Sequence, residues 1–125
     1  MSAKLPTILL IEDDHTVQDL YQSFFTRAGF NVIQAFDGEQ GLDLLEQNPE
    51  IKVILADIML PKLSGFQVIS KIREGALHRD IPIIVVSALA DGNEREKGLE
   101  VGANQYIAKG EVALSEIIEQ VKRYL

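Results

Sequence analysis

The sequence predicts an α/β fold: a five-stranded parallel sheet in the order 2-1-3-4-5, with helices on both faces. Two observations carry this. Short, continuously apolar runs such as Ile8-Leu9-Leu10-Ile11, Val53-Ile54-Leu55-Ala56 and Ile83-Ile84-Val85-Val86 read as strands buried on both sides. Between them lie segments with apolar residues at helical spacing, so strand and helix alternate five times at intervals of about 25 residues, as in right-handed crossover units. Of the two common orders for such sheets, five units fit 2-1-3-4-5, which makes strands one and three neighbours at the switch point.

In chain order, Thr7-Ile8-Leu9-Leu10-Ile11 is the first strand and ends on Glu12, Asp13 and Asp14. Asp14 suits a helix start, where its side chain caps free N–H groups and meets the positive end of the dipole. Val17, Leu20, Tyr21, Phe24 and Ala28 give the first helix its period, and Gly29 is placed to stop it. Val32 to Ala35 is the second strand. Asp37-Gly38 turns the chain into a helix carrying Leu42, Leu44 and Leu45, which ends near Asn48-Pro49. Gly41 weakens that helix by about 1 kcal/mol relative to Ala. The third strand stops abruptly on Asp57, and Pro61 and Gly65 mark the turn into a helix with Phe66, Ile69 and Ile72 inward. Pro82 precedes the fourth strand, which ends at Ser87. The fourth helix, near Asn93 to Val101, is polar and carries Gly98 in its interior, which reads with Gly92 as loop freedom and a weak helix. Tyr106-Ile107-Ala108 is the fifth strand, ending on Lys109. Leu114, Ile117, Ile118, Val121 and Leu125 mark an amphipathic last helix.

At 125 residues, 46% of them apolar, the chain is expected to form one domain, residues 1–125, with a full core. It has no Cys, hence no disulfide, thiol or Cys-based zinc chemistry. No apolar run approaches the ~18 residues of a membrane span. Met1-Ser2-Ala3-Lys4-Leu5-Pro6 lacks the apolar segment of a signal peptide, so a soluble, cytoplasmic chain is expected. A net charge of −7 argues against nucleic acid as a direct partner, since phosphate contacts need clustered Lys and Arg. His15 and His78 fall in no metal or base pattern and read as surface residues.

Alone, Asp57 opens a turn, Ser87 is an ordinary strand-end hydroxyl, and Lys109 is a solvated surface residue. Their positions change that reading. In this strand order Glu12, Asp13, Asp57, Ser87 and Lys109 all point into one crevice at the carboxyl edge of the sheet, where ligands collect. Converging carboxylates repel and call for a cation. An all-oxygen acidic site with few protein ligands suits Mg²⁺, which keeps several waters and is completed by phosphate oxygens. A hydroxyl and an ammonium opposite supply what a phosphoryl group wants.

Ile11-Glu12-Asp13, Ala56-Asp57-Ile58-Met59-Leu60-Pro61, Val86-Ser87-Ala88 and Tyr106-Ile107-Ala108-Lys109 together resemble the receiver domain of two-component response regulators, across essentially the whole chain. The resemblance implies the flavodoxin-like receiver fold and a phosphoacceptor signalling function, without classical enzyme activity. It implies that Asp57 takes a phosphoryl group from a histidine kinase or histidine phosphotransfer protein. Asp13 and Glu12 are then metal-site acids, and Met59 lends its backbone carbonyl to the metal. Ser87 and Lys109 hold phosphoryl oxygens, and Tyr106 moves inward as Ser87 is drawn to the phosphate. The face of helix four, strand five and helix five would change shape for an output protein. Gly110 departs from the Pro common after the Lys, a feature shared by some chemotaxis-related receivers. The expectation is therefore a chemotaxis-type single-domain regulator or a receiver excised from a longer protein, with no output domain attached. Two alternatives stand beside it: a degenerate receiver serving as a protein-binding module, and a metal-dependent phosphohydrolase with Asp57 as nucleophile.

Overall fold

The computed structural model describes residues 4–76 and 78–125. The opening residues 1–3, part of the segment read above as lacking a leader, lie outside the described residues. Five strands, β1 (Thr7–Ile11), β2 (Asn31–Ala35), β3 (Ile51–Ala56), β4 (Ile83–Ser87) and β5 (Gln105–Ala108), form one parallel sheet in the order 2-1-3-4-5. Five helices alternate with them: α1 (His15–Arg27), α2 (Gly38–Gln47), α3 (Gly65–Glu74), α4 (Gly92–Val101) and α5 (Leu114–Lys122). Among the described residues no helix is long and apolar enough to cross a membrane.

Each strand side chain alternates between two cores because the strand period is two. Leu9, Ile11, Ile54, Ala56, Ile83 and Val85 face α2, α3 and α4, where Leu45, Phe66, Ile69 and Ile72 meet them. Ile8, Leu10, Val53, Leu55, Ile84 and Val86 face α1 and α5, meeting Tyr21, Phe25, Ile117, Ile118 and Val121. Burial of each such aliphatic side chain contributes roughly 1.5–3 kcal/mol, so a sheet covered on both sides anchors the fold.

Helix starts follow the capping chemistry of the sequence. The Asp14 carboxylate accepts from the Thr16 and Val17 N–H groups, Asp37 from Gln40, and Asp91 from Glu94. Ser64 and Gln67 close a full capping box on α3.

Three expectations need correcting, the simplest being Leu125, which lies beyond α5 and is 55% exposed instead of joining its apolar face. On α1 the residues turned into the core are Gln18, Tyr21 and Phe25, while Leu20 and Phe24 are 50% and 40% exposed. Gly98 is not merely loop freedom: a Cβ there would stand 2.5 Å from Cδ2 of Tyr106. It is the one buried residue of α4, the place where the helix backbone lies against the aromatic ring. The rest of α4 is mounted by cations. The Arg95 guanidinium donates to the Tyr106 carbonyl at 2.6 Å, and Lys97 Nζ sits 4.4 Å over the Phe66 ring.

Candidate functional site

Strand register decides which side chains meet. Ile11 pairs with Ala56, so Glu12 and Asp57 leave neighbouring strands side by side, and the Asp57 N–H donates to the Ile11 carbonyl at 3.0 Å. Ser87 pairs with Ala108, which puts Lys109 one residue beyond, its N–H on the Ser87 carbonyl at 2.9 Å. The start of α3 is pressed against this edge. A Cβ on Gly65 would lie 2.4 Å from the Asp57 carbonyl oxygen, so only glycine lets the helix approach the strand end so closely.

Glu12 and Asp57 are 3% and 6% exposed, and Asp13 beside them is open to solvent. Each of the three offers a carboxylate oxygen within 4.8 Å of the other two. Lys109 bridges the buried pair: its Nζ donates to Asp57 Oδ2 at 2.9 Å and to Glu12 Oε1. The other oxygens are held by backbone: Met59 N–H donates to Asp57 Oδ1 at 3.0 Å, and Asp14 N–H to Glu12 Oε2 at 3.1 Å.

The electrostatics follow. Burial pushes the Glu12 carboxyl above its ordinary value and prevails over the lowering effect of Lys109. Burial pulls Lys109 down, but its hydrogen bonds to Asp57 and Glu12 outweigh that and hold its ammonium above the usual range. The crevice therefore carries a fixed cation facing two buried carboxylates, with a third carboxylate at its mouth. Three oxygen donors and no nitrogen or sulfur ligand fit a small hard divalent cation.

Ser87 is fully buried, and its Oγ accepts from the Leu89 N–H at 3.2 Å. The Tyr106 hydroxyl donates to the carbonyl of the same residue, Leu89. Tyr106 lies inside, 5% exposed, and burial raises its phenol pKa. The inward berth is open because Gly98 leaves room for the ring. The Lys109–Gly110 peptide is trans, and Gly110 sits at φ +84°, a left-handed conformation that glycine takes without strain. His15 is exposed and stacks on Phe36, with ring centroids 4.4 Å apart.

All the strand-end residues expected at the site reach the same edge. The sequence reading missed the Leu89 backbone, invisible because it acts through N–H and C=O alone, and Gln18. The Gln18 carboxamide is wholly buried and donates to the carbonyls of Leu10, Glu12 and Ala35. A polar residue one place from the apolar stripe of α1 was the only available signal.

Comparison with known proteins bears on the family and the fold. The family model for the response regulator receiver domain matches residues 8–122. The uncharacterized transcriptional regulatory protein YcbL of Bacillus subtilis is 40% identical over 101 residues, 81% of this chain and 43% of its own length. The transcriptional regulatory protein CpxR of Escherichia coli is 38% identical over 102 residues, 82% of this chain and 42% of its own. The chain therefore spans less than half the length of these relatives. Among solved structures, the receiver domain of the Francisella response regulator 1452 superposes with a TM-score of 0.87 at 28% identity, covering 95% of both chains. The chemotaxis protein CheY4 of Vibrio cholerae, at 21% identity, shares the fold with a TM-score of 0.88 over 97% of this chain and 99% of its own.

Proposed function

The chain belongs to the response regulator receiver family, and as the premise of its phosphoacceptor signalling role we propose that Asp57 is the residue that accepts the phosphoryl group. The observation that carries this is the ammonium of Lys109 held 2.9 Å from Asp57 Oδ2, opposite a mouth lined by Asp13. An Asp57 oxygen attacks the phosphorus of a phosphohistidine on a histidine kinase or phosphotransfer protein. The P–N bond breaks, its electron pair returns to the imidazole nitrogen, and an acyl phosphate remains on Asp57. The chain's own groups supply the rest of this self-catalysed step. Lys109 turns from the carboxylates to the incoming phosphoryl oxygens, where its fixed charge is worth more than in water. Ser87 Oγ leaves the Leu89 N–H to donate to another phosphoryl oxygen.

Glu12, Asp13, Asp57 and the Met59 carbonyl would hold Mg²⁺, with Asp13 a direct ligand and Glu12 acting through water. The ion would supply charge neutralisation between carboxylates and phosphate. The route outward runs through Leu89, whose N–H is held by Ser87 and whose carbonyl is held by Tyr106. Drawing Ser87 toward phosphate shifts that residue and resets the face of α4, β5 and α5 for a protein partner, a population shift between two packings. The unit acting this way is the single receiver domain of residues 1–125, working in the cytoplasm and not contacting nucleic acid itself.

The test is intact mass after incubation with Mg²⁺ and a small phosphodonor such as acetyl phosphate. The parent gains one phosphoryl group and Asp57→Asn, nearly isosteric, gains none. A variant modified as fully as the parent overturns the assignment. A degenerate receiver leaves the donor untouched, and a phosphohydrolase consumes it steadily without accumulating the adduct.

A further inference from the structure

We infer that Gln18 is a positioning residue for the acidic site, acting through the backbone of Glu12 without touching metal or phosphate. This rests on the reading of Glu12, Asp13 and Asp57 as a metal-assisted phosphoacceptor site. Gln18 lies on α1, at a position the core would fill with an aliphatic side chain, and its relative exposure is 0%. Its Nε2 donates to the Ala35 carbonyl at 2.7 Å and to the Leu10 and Glu12 carbonyls at 3.1 Å each. These carbonyls belong to the ends of two neighbouring strands and to the first residue beyond the sheet.

The consequence is a backbone pinned from both sides. The Glu12 N–H is bound by the Ala35 carbonyl at 3.0 Å, and the Glu12 carbonyl is bound by Gln18. The Glu12 N–H makes the last bond of the β1–β2 ladder, and beyond it no ladder bond fixes where the chain goes. The Gln18 amide substitutes for that ladder and sets the exit direction of Glu12 and Asp13. Both carboxylates hang from this one segment, and Asp57 stands on the next strand with its own N–H on Ile11. A small shift of the segment changes the spacing of the three oxygens, which Mg²⁺ tolerates poorly because it demands near-ideal octahedral geometry.

The carboxamide also has a cost, set against the bonds that its nitrogen donates. Its Oε1 is buried with no hydrogen-bond partner among the described residues. An aliphatic residue would fill the same space without it, so the retained donor serves the carbonyls at the site.

The experiment compares the parent with Gln18→Met, which keeps volume and removes the donor, and with Ile118→Val, a core variant on α5 with no hydrogen bond to the site's residues. Mg²⁺ affinity is measured by calorimetry at a temperature where thermal melts show each protein fully folded. Exchange of the Asp13 and Asp14 amide protons is followed in metal-free protein. Gln18→Met should weaken Mg²⁺ binding about tenfold, as loss of supporting contacts to metal ligands does, and should speed exchange at Asp13 and Asp14. Ile118→Val should lower the melting temperature and leave affinity unchanged. If Gln18→Met does not fold, Gln18→Asn, which keeps the amide on a shorter arm, carries the same comparison. Affinity within twofold of the parent, or affinity that tracks melting temperature in both variants alike, overturns the proposal. A parent that binds no Mg²⁺ overturns the site reading itself, and this inference with it.

Discussion

Replacing Gly98 by Ala isolates the contact on which the inward Tyr106 depends. In an exposed helix interior the change should stabilise by about 1 kcal/mol, because Ala loses less backbone entropy than Gly. Here the new methyl would lie 2.5 Å from Cδ2 and 2.8 Å from Cε2 of the Tyr106 ring, closer than carbon atoms pack. Either the helix is pushed off the sheet, an overpacking that costs roughly 1–3 kcal/mol, or the ring swings out. Swinging out loses the hydrogen bond to the Leu89 carbonyl, about 1 kcal/mol, and the burial of an aromatic ring, roughly 2 kcal/mol. Both routes exceed the helix gain, so Gly98→Ala should destabilise by on the order of 1–2 kcal/mol in urea unfolding. Removing the ring should reverse the sign. In a Tyr106→Ala background the same substitution should stabilise by up to ~1 kcal/mol, for a coupling of about 2 kcal/mol in the double-mutant cycle. If Gly98→Ala adds about 1 kcal/mol in both backgrounds, the ring does not rest on α4 and the account of the berth is wrong.

Three further outcomes can be measured without a kinase. Because burial raises the Glu12 carboxyl above 4.5, the folded state keeps a proton that the unfolded chain has released; metal-free protein should therefore lose stability as pH rises from about 4.5 through the folded value, and Glu12→Gln should remove that part of the slope in EDTA melts. On the proposed metal site Mg²⁺ would bind only the folded arrangement and should stabilise the parent by about 1.4 kcal/mol at ~10 times its dissociation constant; metal-free Asp13→Ala should melt at or above the parent and gain almost nothing from millimolar Mg²⁺, whereas melting well below the parent would make Asp13 structural. Arg73 joins the carbonyls of Arg79, Ile81 and Gly102 and the side chain of Asn104, so Arg73→Lys, which keeps the charge but not the planar fork, should still cost about 1–3 kcal/mol in urea titrations; an unchanged midpoint refutes this.

The sequence by itself determined the sheet and the place of the site. Runs such as Ile83-Ile84-Val85-Val86 can be buried only between two layers, and parallel strands bring their carboxyl ends to one edge. Glu12, Asp57, Ser87 and Lys109 are strand-end residues, so topology alone gathers them, and their types announce the chemistry. What lies across the strand order was not legible. Helical period cannot tell Leu20 from Gln18 as the inward residue of α1, because both lie near the edge of the stripe. The choice falls to the strand-end carbonyls of Leu10, Glu12 and Ala35, which only the folded backbone brings within one amide's reach. Gly98 and Gly65 read as weakness and turn because a missing side chain has no partner in sequence. Only packing reveals the Tyr106 ring and the Asp57 backbone that occupy the space. The inward position of Tyr106 rests on the Leu89 carbonyl and the gap at Gly98, neither of which a linear pattern contains.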